Sequence, residues 1–351
     1  MLYQPNFEKI KKKYDEYWVL ENHDRPLLYI TAPKDGHVEP PVVSHHATIK
    51  DRWLDTEYMI DTTNAHFRST YFGGDALPVF YPNLGPDFFA SVYGTPIEFG
   101  EDTSWALHNM HDWENHPPFH MDRECFYYKK MIEMTKAATE DARDKYLVGI
   151  TDIHPGLDAL VAMRSPANLC IDALECPEKL KVGAMDLFEG FKLMYEDLHA
   201  ITTKYQKGSI NWMRLWHPGR TYVTSCDFIC MISPDMFEDL VVEELEAQLG
   251  YLDASLFHLD GPDALRHLDR LLEIKSLKGI QWVYGAGQPT AAHWIEVLKK
   301  IQSAGKAFQV DATIEDMPIL LENLKPEGAH YIVNAKNEEE AHLVEKWVGV
   351  I

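Results

Sequence analysis

Short apolar runs rich in β-branched and aromatic residues recur along the chain, separated by longer stretches whose apolar residues return every three or four positions. Eight runs stand out: Leu27–Thr31, Leu77–Asn83, Tyr146–Asp152, Ile210–Trp216, Ala254–His258, Gly279–Tyr284, Ala307–Asp311 and His330–Asn334. Most are continuous rather than alternating, the pattern of a parallel strand covered on both faces. Between them, Ser233-Pro234 reads as an N-cap followed by a first-turn proline, and Phe237, Leu240, Val241, Leu245, Leu249 and Leu252 keep one helix face apolar. Thr290 caps a second helix with Trp294, Leu298 and Ile301 on one stripe. Thr313-Ile-Glu-Asp316 resembles a capping box, with Pro318 in the first turns, and Asn337–Val348 closes the chain as a further helix.

Strand–helix alternation repeated eight times predicts an α/β fold, a single (β/α)8 TIM barrel made of residues 1–351, with a doubly wound sheet as the alternative. The first half is less regular. Residues 84–120 form a long Pro- and aromatic-rich insertion after the second strand, and 157–205 is helical material after the third. Loops of that length cover an active site or build an oligomer contact.

Composition narrows the function. The 351 residues are 46% hydrophobic and 25% charged, values of a globular, enzyme-sized chain. A net charge of −22, from 33 basic and 55 acidic residues, repels phosphate backbones and anionic membranes and weighs against nucleic acid as a partner. It also weighs against a substrate with many carboxylates unless a local basic pocket compensates. The opening segment has no apolar stretch of signal-peptide length and no later segment could span a bilayer. Five scattered cysteines (125, 170, 176, 226 and 230) form no C-x-x-C, so a reduced, cytoplasmic protein is expected.

In a barrel the strand ends converge on one face. Here they would bring together Thr31, Asn83, Asp152 with His154, Trp216 with His217, His258 with Asp260, Tyr284, Asp311 and Asn334. Such a ring suits a metal site or general acid–base chemistry on a small molecule. His258 and Asp260, two apart on a strand, face the same side and could offer a nitrogen and an oxygen to zinc. Alternatively Asp260 caps the following helix and His258 is a satisfied core histidine. Asp152 and His154 could hold a general base, or Asp152 could simply fix a strand–helix turn. Asp311 could be an acid, a further ligand or a helix cap. Asn83, Trp216, His217 and Tyr284 are candidate substrate contacts, although aromatics at these positions are commonly core. The sequence contains no G-x-G-x-x-G, Walker loop, H-E-x-x-H or G-x-S-x-G.

Several stretches resemble the uroporphyrinogen decarboxylase superfamily, which includes cobalamin-linked methyltransferases. They are Asp24-Arg-Pro-Leu-Leu-Tyr-Ile, then Cys226-Asp-Phe-Ile-Cys-Met-Ile-Ser-Pro-Asp-Met-Phe237, the strand ending Leu256-Phe-His-Leu-Asp-Gly261, and the Leu271–Gly285 region. The resemblance implies one (β/α)8 barrel, commonly a homodimer. It does not extend to porphyrinogen decarboxylation. Where the decarboxylases carry a carboxylate-clamping arginine loop, this chain reads Ile30-Thr-Ala-Pro-Lys-Asp-Gly36, and Pro155-Gly-Leu-Asp-Ala-Leu-Val161 lacks the tyrosine of that family. In the zinc methyltransferases of the superfamily, His-x-Cys follows the fifth strand. Here His258 matches the histidine, Asp260 stands in the cysteine's place, and no cysteine follows Cys230. A His/Asp set makes a harder metal site, suited to oxygen donors rather than thiols.

The resemblance therefore implies a metal-assisted methyltransferase that moves a methyl group between a small oxygenated compound and a corrinoid protein. His258 and Asp260 would hold a divalent metal such as zinc, and Asp152 or His154 would manage the proton. Two other readings stay open: a lyase or hydrolase acting on a sugar-like molecule with Asp152 and Asp311 as acid and base, and a binding protein that kept the fold and lost the chemistry.

Overall fold

The computed structural model describes all residues, 1–351, as fourteen α-helices around a mainly parallel central sheet. Seven strands lie in the order Thr70–Gly74, Leu27–Pro33, Ala329–Asn334, Ala307–Ala312, Gly279–Val283, Ala254–Asp260 and Thr221–Ser225. Every neighbouring pair is parallel except the first, where Thr70–Gly74 runs antiparallel to Leu27–Pro33. A separate parallel pair joins Val79–Phe80 to Leu147–Val148. Seven of the eight apolar runs thus contain strands, and their continuous burial follows from helices packed outside and side chains packed inside.

The run at 210–216 is the exception. It was expected to be the fourth parallel strand, but Ser209–Ile210 and Trp216–His217 pair antiparallel as a small hairpin, and the parallel strand is Thr221–Ser225. The polar Asn211 and the left-handed Arg214 (φ 61°) interrupt the run, whereas Thr221-Tyr-Val-Thr-Ser is β-rich and wholly buried. The hairpin fills the space between strand neighbours. Ile150 N–H donates to Ile210 O at 2.9 Å, Thr221 N–H donates to Ser209 Oγ at 3.2 Å, and Asn211 Nδ2 donates to Thr221 Oγ1 at 3.2 Å.

The helix Phe7–Trp18 closes the end where the strands begin. Its buried Tyr14, Tyr17 and Trp18 join Leu27, Leu147, Val223, Ala254 and Trp216 in one apolar cluster. Tyr17 Oη donates to Phe308 O at 3.3 Å and Trp18 Nε1 donates to Trp216 O at 2.8 Å. A larger cluster of 68 buried residues lies between the sheet and the outer helices.

Helix ends follow the expected chemistry except at Thr290, whose hydroxyl donates to Asp316 Oδ1 at 2.7 Å instead of capping its own helix. Ser233 Oγ accepts from Met236 N–H and Asn337 Oδ1 accepts from Glu340 N–H. Thr313 and Asp316 cap each other reciprocally, Asp316 N–H to Thr313 Oγ1 and Thr313 N–H to Asp316 Oδ2. The segment after Ser233 divides at Val241 into Pro234–Leu240 and Val242–Tyr251. Residues 84–120 carry the short helix Phe88–Ser91 and the hairpin Ile97–Phe99/Ser104–Ala106, and 157–205 is helical through Gly156–Arg164, Pro166–Glu175 and Pro177–Thr202. No helix is long and apolar enough to cross a membrane.

The first strand is anchored by a buried ion pair. Arg25 Nη1 and Nη2 donate to the two Asp75 carboxylate oxygens at 2.6 and 2.8 Å, and Leu28 N–H adds a third bond at 3.1 Å. Removing one member leaves the other charge buried and unpaired. Asp75→Ala is therefore expected to lower unfolding free energy by about 3–5 kcal/mol in urea titration. An unchanged midpoint would show that Arg25 finds solvent on its own.

Candidate metal and proton-transfer site

Three donors meet at the strand ends. His258 and Asp260 lie on Ala254–Asp260, and Asp227 opens the short 3-10 helix that follows Thr221–Ser225. One ligand atom from each falls within 4.8 Å of the others, with His258 Nε2 3.9 Å from Asp227 Oδ1. Parallel register sets this up, since His258 sits opposite Ser225 on one side and Gln281 on the other. The buried Gln281 contributes Oε1 as acceptor to His258 Nδ1. An amide oxygen can only accept, so Nδ1 carries a proton and Nε2 is the ring atom turned toward the two carboxylates. Burial, with the nearby Asp227 carboxylate, pushes the Asp260 carboxyl up, against the pull of His258. Two oxygens and one imidazole nitrogen, the nitrogen held by a neighbouring amide, fit a divalent cation of intermediate hardness. Cys230 is close, its Sγ 3.4 Å from Asp260 O, but its sulfur is outside the donor group.

The second constellation adjoins the first. His154 Nε2 lies 2.7 Å from Asp152 Oδ1, which also accepts from Tyr222 Oη at 3.2 Å. Tyr81 Oη accepts from Asp152 N–H at 3.0 Å and so holds the backbone. Burial alone would lower the His154 pKa, yet the Asp152 carboxylate, with Asp158 and Asp227 behind it, holds it up to about 10. The indole of Trp212 stands between the two histidines, its centroid 5.9 Å from His154 and 5.3 Å from His258.

Asp158 ties the constellations together. From the helix Gly156–Arg164 its carboxylate accepts from Asp227 N–H at 3.0 Å and Phe228 N–H at 3.2 Å, fixing the turn that presents Asp227. Burial and the Asp227 charge push the Asp158 carboxyl up. Beneath it, burial raises Glu244 to about 8, and that side chain receives Gln248 Nε2 at 2.9 Å. Gly156 (φ 63°) has its place here, because a Cβ would stand 3.0 Å from Glu244 Oε2 in a left-handed conformation.

Other residues expected at the site lie elsewhere. Trp216 and His217 are at the opposite end of the sheet, packed on Trp18 with Trp216 Nε1 donating to Lys207 O at 3.0 Å. They go there because the 209–217 hairpin buries its apolar face against the first helix. Asn83 Oδ1 accepts from Gly85 N–H at 2.7 Å and closes a turn. Asp311 and Tyr284 line a separate cavity with Asn334, of about 390 Å³. Burial raises the Asp311 carboxyl, against the pull of Arg214.

Asp227, Gln281 and Trp212 were not expected at the site. Gln281 had a signal in the sequence, as the one polar residue inside the apolar run Gly279–Val283. Asp227 had a weaker one, its place just beyond a β-branched run. Trp212 had none, because its segment read as a strand.

No family model matches the chain, and no curated protein matches it significantly. Among solved structures it is similar to a methyltransferase from Methanosarcina mazei, with a TM-score of 0.63 over 93% of each chain and 11% sequence identity. At that identity the likeness is one of fold.

The His154 imidazolium gives a direct test. Its proton resonances are expected to show a charged ring through pH 8, titrating near 10, and Asp152→Asn is expected to bring the transition below that of the wild type. Because the folded value is raised, the ion pair's contribution to stability is complete below the unfolded pKa of about 6.5 and is lost as pH climbs through the folded value. A neutral ring at pH 7 in the wild type would overturn this assignment.

Proposed function

We propose that the chain is a metal-assisted methyltransferase of the uroporphyrinogen decarboxylase superfamily, moving a methyl group from a small oxygenated compound to a corrinoid carried by a partner protein. The observation that carries this reading is the Asp227–His258–Asp260 donor group, with His258 oriented by Gln281. The fold likeness to a methyltransferase is compatible with it. In this reading the seven-stranded sheet and the Val79–Phe80/Leu147–Val148 pair belong to one closed (β/α)8 barrel spanning residues 1–351. The exposed apolar residues Ile171, Leu174 and Val182 on neighbouring helices support a homodimer.

A divalent ion, zinc in this proposal, would supply Lewis acidity at the substrate oxygen, and the reduced corrinoid would supply the electron pair that takes the methyl group. The chain's own residues do the rest. His258, Asp227 and Asp260 hold the ion, and Gln281 keeps the His258 ring turned toward it. The carbon–oxygen bond breaks with its electron pair left on oxygen, and His154, charged and backed by Asp152, delivers a proton there. The Trp212 indole walls the space between the two histidines and excludes water.

Elemental analysis of the purified protein is expected to find one divalent ion per chain, absent from His258→Ala. Gln281→Ala is expected to keep the ligands and weaken metal affinity about 10–100-fold. Chelation should abolish methyl transfer to a corrinoid protein and added zinc should restore it. A folded protein that binds no divalent ion, or transfer indifferent to chelator, would overturn the proposal.

A further inference from the structure

Arg214 forms no direct ion pair, although its charge is felt by Asp311 in the neighbouring cavity. It sits at the tip of the 209–217 hairpin in a left-handed conformation (φ 61°), with Tyr14 Oη donating to its carbonyl at 3.2 Å from below. Its guanidinium lies over the Tyr29 ring, 5.2 Å from the centroid, forms no ion pair and donates no hydrogen bond to the protein. Each of the other nine arginines of the chain pairs with a carboxylate. Exposed though it is, the group is exposed to a cavity of about 450 Å³.

No carboxylate lines that cavity. Its walls combine aromatic faces, Tyr29, Phe72 and Tyr81, with polar groups from Thr31 and Asn334. Thr31 Oγ1 donates to Asn334 Oδ1 at 3.0 Å, which leaves the Asn334 amide protons free to donate. Tyr81 Oη already accepts from Asp152 N–H and donates to no protein acceptor. Burial and the Arg214 charge lower the His66 pKa, so Arg214 is the one lasting positive charge in the wall. Arg214, the Asn334 amide and the Tyr81 and Thr63 hydroxyls can all donate into this space and no carboxylate opposes them, which suits an anion.

We propose that this cavity is the recognition pocket for the carboxylate of a small substrate with an aromatic or similarly flat body, and that Arg214 is the residue that pairs with it. A guanidinium fork matches a carboxylate bidentately, and the aromatic walls take the apolar body. The inference deepens the methyl-transfer reading by naming the substrate class. Tyr81 gives the pocket its direction, since it lines the cavity and also touches Asp152. A substrate anchored on Arg214 therefore has its far end toward the Asp152–His154 pair. The hairpin serves both ends, with Trp212 beside the two histidines and Arg214 two residues on. The local positive charge also offsets the repulsion that a net charge of −22 exerts on an anionic substrate.

The test is calorimetric titration of chelator-treated protein, so that failure of the metal or methyl-transfer reading leaves this result untouched. The probes are 3-methoxybenzoate, 4-methoxybenzoate and phenylacetate, each beside its uncharged amide. At least one acid is expected to bind the wild type about tenfold or more tightly than its amide, with affinity falling as sodium chloride rises. Arg214→Gln is expected to abolish that preference, and Arg214→Lys to keep part of it, with near-ultraviolet circular dichroism reporting that both variants remain folded. Tyr81→Phe should weaken the acids while leaving their preference over the amides in place. Equal binding of acids and amides, an acid preference that survives Arg214→Gln, or no binding by any acid would overturn the proposal.

Discussion

His258 and Gln281 meet because their strands pair in one register and no other. Side chains on a strand alternate between faces, so a slip of one residue between Ala254–Asp260 and Gly279–Val283 would turn the imidazole away from the amide and remove its orientation. The same ladder places Ser225 beside His258, and the turn after Ser225 then delivers Asp227 to Nε2. Three parallel strands locked in register thus convert residues far apart in the chain into one donor group. The buried apolar faces on both sides of the sheet hold that register, because a shifted strand would expose them.

Acid crowding is the second constraint. Asp152, Asp158, Asp227 and Asp260 converge on one region, and ionised carboxylates buried together repel. Two features relieve this. His154 takes a proton and carries it to high pH, neutralising part of the charge from within, and Asp158 is driven toward its protonated form while its oxygens accept two backbone N–H groups. Glu244 below it is raised as well, so the layer under the site is less negative than its composition suggests. A divalent cation between Asp227, His258 and Asp260 would complete the balance, which is why the metal reading and the electrostatics support each other.

The hairpin at 209–217 links the two ends of the molecule. Its apolar residues Leu215 and Trp216 seal the end where the strands begin, while Trp212 reaches His154 and His258 and Arg214 lines a cavity. A segment that bridges neighbouring strands, packs on the first helix and lines the interior cannot move without disturbing all three. Its left-handed residue at Arg214 marks where the chain must reverse in little space.

Much of this was legible in the amino-acid sequence. The order of most strands and helices, the caps at Ser233 and Thr313, and the same-side placement of His258 with Asp260 follow from local periodicity and capping chemistry, which depend on neighbours a few residues away. What sits beside what depends on long-range pairing. Asp227 and Gln281 joined His258 through register, and the run at 210–216 became a hairpin because burial against Phe7–Trp18 outweighed its strand-like composition. Trp216 and His217 accordingly went to the far end, and Arg214 turned inward to a cavity that no spacing rule describes. Local sequence determined which faces are apolar and where elements begin and end. Only tertiary packing decided which polar residues share a site, because the free energy of burying whole faces, not the preference of any one segment, sets how the strands align.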